Sequence, residues 1–73
     1  MRVIYTYSQD NNVYTLREYN YTTKTFFEII FKIGRIKTRT VETETNPLIG
    51  EETVAPWYYE KMFNKLLYKY QFV

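Results

Sequence analysis

The chain has 73 residues, a net charge of +2 and 21% aromatic residues, and it contains neither cysteine nor histidine. These absences exclude disulfide staples, thiol or histidine-based catalysis and histidine-ligated metal sites. The length predicts one small domain, residues 1–73, whose core must be built mainly from aromatic side chains.

The first predicted element is a β-hairpin. Residues 3–8 alternate in strand fashion, and a strand-like composition resumes over residues 13–21. The intervening Asp and Asn residues tolerate the left-handed backbone that two-residue hairpin turns require. Whether Asp10-Asn11 or Asn11-Asn12 forms the turn, the hairpin keeps one core face, made by Val3, Tyr5, Tyr7, Tyr14 and Leu16.

The apolar run over residues 26–33 predicts a central strand. Its alternation places Phe27, Ile29, Phe31 and Ile33 on one face, and Gly34 suits a tight turn after it. The alternative is a short helix over the same residues, because the flanking sequence has capping-box spacing. The strand is favoured, since eight residues are few for a helix and the run is rich in poor helix formers.

The polar, threonine-rich stretch 36–45 predicts the hairpin partner of the central strand. With Gly34-Arg35 as the turn, Ile33 faces Ile36 and Phe31 faces Thr38. Asn46-Pro47 ends this strand, and a loop follows.

Pro56 begins the predicted C-terminal helix, because proline is favoured in a first turn. We expect Thr53 to cap this helix and Glu51 and Glu52 to complement its positive end. Helical spacing predicts a core-facing stripe formed by Tyr59, Met62, Phe63, Leu66 and Tyr70. This stripe should cover the sheet face of Leu16, Phe27, Ile29 and Phe31, with Phe72 packing beyond the helix end.

These patterns predict an α+β fold in the order ββββα, with three or four antiparallel strands and one C-terminal helix packed on one face. A helix over 26–33 would instead give the order ββαβα. The first residues are too short and polar for a secretory signal, and no apolar run has the length of a membrane span. We therefore expect a cytoplasmic protein with no membrane partner.

Carboxylates offer the one remaining route to catalysis or metal binding. Glu42 and Glu44 share a predicted strand face and have the oxygen ligands that hard cations prefer. Solvated glutamates on a polar strand explain the pair more simply. We expect no metal, no cofactor and no enzymatic activity.

The residues that indicate function are aromatic and basic. Trp and Tyr carry a large share of interface energy, and Trp57, Tyr58 and Tyr68 lie outside the core stripe of the predicted helix, beside Lys61 and Lys65. The sequence therefore favours a non-enzymatic module that binds a larger protein. Its bias toward Asn, Lys, Ile and Tyr is typical of AT-rich genomes, so we expect a phage- or mobile-element-type inhibitor of a host or defence protein.

Two alternatives stay open. One is a nucleic-acid-binding protein that uses a basic strand, formed by Lys32, Arg35, Lys37 and Arg39, together with exposed tyrosines. The other is a homodimer that buries its aromatic surface on itself.

Overall fold

The computed structural model describes residues 3–71, with the side chain of the last of these excepted. Its elements are β1 Val3–Asp10, β2 Val13–Asn20, β3 Thr25–Lys32, β4 Arg35–Glu42, β5 Thr53–Val54 and α1 Pro56–Gln71. The strands form one antiparallel sheet in the order β4-β3-β2-β1-β5. The predicted α+β fold and its order ββββα are confirmed. The sequence did not predict β5, a two-residue strand that pairs with Tyr5 and Thr6 of β1.

The first hairpin turns at Asn11-Asn12. Asp10 pairs with Val13, and Asn11 adopts a left-handed backbone with φ 57°, which asparagine tolerates well. The resulting register places Tyr5, Tyr7, Tyr14 and Leu16 against one core, as predicted.

The run 26–33 is a strand, so the helical alternative is wrong. β3 lies between β2 and β4 and pairs with both along its length, which a short helix could not do. The turn after it, however, is Ile33-Gly34 rather than Gly34-Arg35, because Lys32 pairs with Arg35. Gly34 takes the second turn position, with a left-handed φ of 74°.

This turn changes the predicted partners but not the faces. Phe31 faces Ile36 instead of Thr38, a shift of two positions that keeps the paired strand residues on their predicted faces. Ile33 leaves the core face and is 78% exposed at the turn.

The fourth strand ends earlier than predicted, at Glu42. The Thr43 N–H still donates to the Lys24 carbonyl at 2.9 Å. The chain then turns away, with the Thr45 N–H donating to the Thr43 hydroxyl at 3.3 Å. Glu44 therefore lies outside the strand, and the expected shared strand face of Glu42 and Glu44 is not formed.

α1 begins one residue after Ala55, whose carbonyl accepts the N–H groups of Tyr58 and Tyr59, each at 3.0 Å. Pro56 thus occupies the first helical position, as predicted. Thr53 is not the cap, because it lies in β5. The first turn itself contains no acidic residue, and Glu51 forms an ion pair with Arg17 of β2.

The main core lies between α1 and one face of the sheet, which we call the helix-side face. Its partly buried rim includes Phe27, Phe63 and Tyr70, all of them predicted to face the core. Its buried members are Leu16, Ile29, Phe31, Tyr59, Met62 and Leu66.

A second, smaller core lies on the opposite sheet face, which we call the far face. Loop 43–52 folds over this face and buries Leu48 against Tyr19 and Phe26, with Ile4 packed beside them. The Tyr19 hydroxyl donates to the Thr43 carbonyl at 2.8 Å, so the buried phenol is satisfied and the loop is held down. The predicted contact of Phe72 lies outside the described residues. Within residues 3–71, no helix combines the length and apolar character needed to cross a bilayer.

Candidate protein-binding surface

The outward side of α1 carries the side chains predicted to bind a partner. Trp57, Lys61, Lys65 and Tyr68 follow the spacing i, i+4, i+8 and i+11, which keeps them on one side of a helix. All four are exposed, with Trp57 at 67% and Tyr68 at 72%. At 1.5 Å per residue, the two aromatic side chains are about 16 Å apart along the helix.

Tyr58 links this surface to the core. It is half-buried, and its ring meets that of Tyr7 edge to face, with centroids 5.9 Å apart. The Trp57 ring in turn meets Tyr58 edge to face at 5.8 Å. Such pairs contribute about 0.5–1.5 kcal/mol beyond buried area, so Trp57 is exposed but braced. We call Trp57, Tyr58, Lys61, Lys65 and Tyr68 together the outer helix surface.

Beneath this surface lies a layer of tyrosines between sheet and helix. The rings of Tyr5 and Tyr59 are 4.6 Å apart. Burial raises the pKa of Tyr59 far above its ordinary value, and the negative charge of Glu18 and its hydrogen bond with the phenol add to the effect. Burial also raises the pKa of Tyr7, with smaller contributions from neighbouring tyrosines. Both phenols therefore stay protonated where an exposed tyrosine would ionise.

The four predicted nucleic-acid-binding residues also share one side of the molecule, but it is the far face. The register pairs Lys32 with Arg35 and places Lys37 and Arg39 on the same face along β4. All four are exposed. Because α1 covers the other face, this basic strand points away from Trp57 and Tyr68, and the two candidate surfaces do not merge.

A charged row crosses the far face beside the basic strand. The register sets Arg17, Glu28 and Arg39 next to one another on three strands. Glu28 is only 12% exposed and accepts a hydrogen bond from Arg17 at 2.7 Å, while its second oxygen lies 3.7 Å from the Arg39 Nε. Arg17 also reaches Glu51 of the covering loop at 3.4 Å. Glu51 thus ties the loop to the sheet instead of complementing the helix end.

No family model, curated protein or solved structure matches this chain. Its surfaces must therefore be interpreted from their own chemistry. Across residues 3–71, no three Asp, Glu, His or Cys side chains come close enough together to hold a metal ion.

Sequence reasoning missed the row of Arg17, Glu28 and Arg39. The sequence does indicate part of this row, because Arg17 and Glu28 become cross-strand neighbours once β2 and β3 are joined by the four-residue loop 21–24. That loop is fixed by Asn20, whose side-chain oxygen accepts the N–H groups of Thr22 at 2.8 Å and Thr23 at 3.1 Å. The bond to Glu51 spans 34 positions and has no local sequence signal.

Proposed function

We propose that this protein is a non-enzymatic binding module that attaches to a larger protein through the outer helix surface. The observation that supports it most is the exposure of two large aromatic side chains, Trp57 and Tyr68, on one side of a helix whose other side is fully used by the core. Exposed aromatic residues on a rigid element are the usual anchors of protein interfaces.

Rigidity favours tight binding by this surface. Trp57 is braced through Tyr58 to Tyr7 of β1. At the other end of the helix, Tyr70 contacts Phe31 with ring centroids 6.0 Å apart and donates a 3.4 Å hydrogen bond to the Asn12 carbonyl. A surface held at both ends loses little conformational freedom when it binds, so more of its contact energy appears as affinity.

The chemistry of the surface also describes its partner. Lys61 and Lys65 lie between the two exposed rings and are themselves exposed. The complementary site is an apolar groove for the rings with acidic side chains along its rim. Binding of a module this small would act by covering part of the larger protein, which is the mode of an inhibitor or modulator. Its phage or mobile-element type and its cytoplasmic location remain predictions from the sequence.

Affinity capture with matched variants tests this proposal. We expect the wild-type protein to retain a partner from a lysate of its native host, and Trp57→Ala with Tyr68→Ala to lose it. Loss of an interface anchor costs about 2 kcal/mol, or about 30-fold in affinity. The matched control is Val41→Ala with Ile49→Ala, two exposed apolar residues that lie on the far face and in the loop that covers it.

Site-specific cross-linking gives a second measurement. A photoreactive residue at position 61 should label the same partner, and one at position 37, on the far face, should not. Equal capture by the aromatic variant and the control variant, or labelling only from position 37, would contradict the proposal.

Nucleic-acid binding is the second candidate, because the structure brings Lys32, Arg35, Lys37 and Arg39 to one face. Against it, Trp57 and Tyr68 lie on the other side of the molecule, so these two side chains cannot stack on the bases of a nucleic acid that the basic strand holds. Titration with labelled single- and double-stranded DNA and RNA at low and near-physiological salt decides between the two. Affinity that falls steeply with salt, and that Lys37→Glu with Arg39→Glu abolishes, would favour the nucleic-acid hypothesis.

A further inference from the structure

Among residues 3–71, no strand lies beside the outer edge of β4. β4 is the last strand in the sheet order, whereas the opposite edge is partly covered by β5. β4 is eight residues long, pairs with β3 without interruption and contains neither proline nor glycine. Long, regular edges of this kind accept additional strands.

The hydrogen bonds of the hairpin show which backbone groups face outward. The N–H of Thr43, just past β4, donates to Lys24 across the hairpin, and backbone groups alternate in direction along an antiparallel strand. Odd-numbered residues of β4 therefore bond to β3. The even-numbered residues direct their N–H and C=O groups away from the sheet, and they are Ile36, Thr38, Thr40 and Glu42.

The side chains along this edge are divided by charge. Ile36 packs against the main core, so the even-numbered residues lie on the helix-side face. Arg35, Lys37 and Arg39 lie on the far face, where Lys37 and Arg39 line a groove of about 300 Å³. Among the ion pairs of residues 3–71, Arg39 has Glu28 as its partner, and Arg35 and Lys37 have none.

We propose that the β4 edge binds an extended protein segment that carries acidic residues at alternate positions. Its backbone would pair with Ile36, Thr38 and Thr40. Its acidic side chains would lie on the far face opposite Arg35, Lys37 and Arg39, in the non-hydrogen-bonded positions where cross-strand side chains approach most closely. This surface is separate from the outer helix surface and does not depend on the proposed function.

Charge selects this occupant over a second copy of the chain. Two β4 edges paired antiparallel would bring six cations onto one face, three from each copy, because Arg35, Lys37 and Arg39 share it. Like charges on adjacent strands repel, which is a common protection of edge strands against self-association. The same cations attract a segment of opposite charge.

Proline substitution separates backbone pairing from charge attraction. Thr38→Pro removes an N–H that points outward, so it leaves the ladder with β3 intact. Thr38→Val keeps that N–H and is the matched control. The probe is an eight-residue peptide that alternates Glu with Thr or Val, and binding is measured by calorimetry at low salt.

We expect Thr38→Pro to weaken binding at least tenfold, Thr38→Val less than twofold, and Arg35→Glu with Lys37→Glu at least tenfold. A second comparison leaves the protein unchanged and uses two N-methylated peptides, one methylated at its odd-numbered amides and the other at its even-numbered amides. One of these two peptides should lose binding, and the other should keep it. The second comparison decides the matter if Thr38→Pro fails to fold.

Several results would overturn the proposal. They are no binding of the peptide by the wild-type protein, equal binding by both N-methylated peptides, and self-association that the peptide does not compete with. Binding of a single- or double-stranded nucleic acid that competes with the peptide and is insensitive to Thr38→Pro would assign the strand to nucleic acid instead.

Discussion

At the scale of single residues, Thr6 is the one described side chain with a buried and unpaired polar atom. It is 1% exposed, and its hydroxyl has no hydrogen-bond partner among the described residues. It lies on the far face, where the register sets it between Thr53 and Arg17. A buried hydroxyl without a partner loses its hydrogen bonds to water on folding and forms none within the protein, so it lowers the free energy of unfolding.

Thr6→Val should therefore stabilise the protein. Valine keeps the branched shape and removes the unpaired hydroxyl, and we expect the free energy of unfolding to rise by about 1 kcal/mol. Urea denaturation followed by far-ultraviolet circular dichroism measures the change. Thr15→Val is the control. Thr15 is also buried on the far face, but its hydroxyl is not a buried oxygen without a hydrogen-bond partner. An equal gain in both variants would point to β-propensity instead.

At the scale of elements, the hairpin of β3 and β4 depends on the backbone of Gly34. Its φ is 74°, and a Cβ placed there would meet no other atom within 4 Å. Any cost of a side chain at this position is therefore conformational. Gly34→Ala should lower the free energy of unfolding by about 1 kcal/mol. Gly34→Asn should cost less, because asparagine already occupies a left-handed position at Asn11. Equal losses for both variants in urea denaturation would contradict this explanation.

Elements that depend on local sequence patterns could be predicted, and elements that depend on contacts between distant segments could not. Alternation in β3 and helical spacing in α1 are local, so both elements and the core face of Leu16, Ile29 and Phe31 could be predicted. The turn at Ile33-Gly34 depends on whether Gly34 takes the first or the second position of the two-residue turn, and the apolar character of Ile33 favoured placing it in the core.

Contacts between distant segments could not be predicted. β5 is two residues long and exists because it pairs with β1, about fifty positions away in the chain. The burial of Leu48 over Tyr19 and Phe26 has the same origin. For the candidate site, the exposure of Trp57 and Tyr68 followed from helical spacing, whereas the bracing of Tyr58 by Tyr7 is a tertiary contact with no local sequence signal.

At the scale of the whole molecule, the tyrosine layer makes the free energy of unfolding vary with pH in the alkaline range. The pKa values of Tyr7 and Tyr59 are raised in the folded protein, whereas in the unfolded chain both phenols ionise near pH 10. Their contribution to stability is fully present below about pH 10. It is lost as the pH rises above that value, because the unfolded state then releases protons that the folded state retains.

The free energy of unfolding should therefore begin to fall near pH 10 and continue to fall as the pH rises further. Tyr59→Phe should reduce this fall, since phenylalanine has no proton to release. Urea denaturation at each pH gives the two curves, and a fall of the same size in Tyr59→Phe as in the wild type would show that the buried phenol is not responsible.

The meander of β1 to β4 also bears on how fast the protein acquires its shape. Each of these strands pairs with the one next to it in the chain, across connections of two or four residues. Short connections cost little loop-closure entropy, and chains dominated by near-neighbour contacts cross their folding barrier quickly. We expect folding within about milliseconds, so that a chain leaving the ribosome presents a formed sheet almost as soon as α1 has been synthesised.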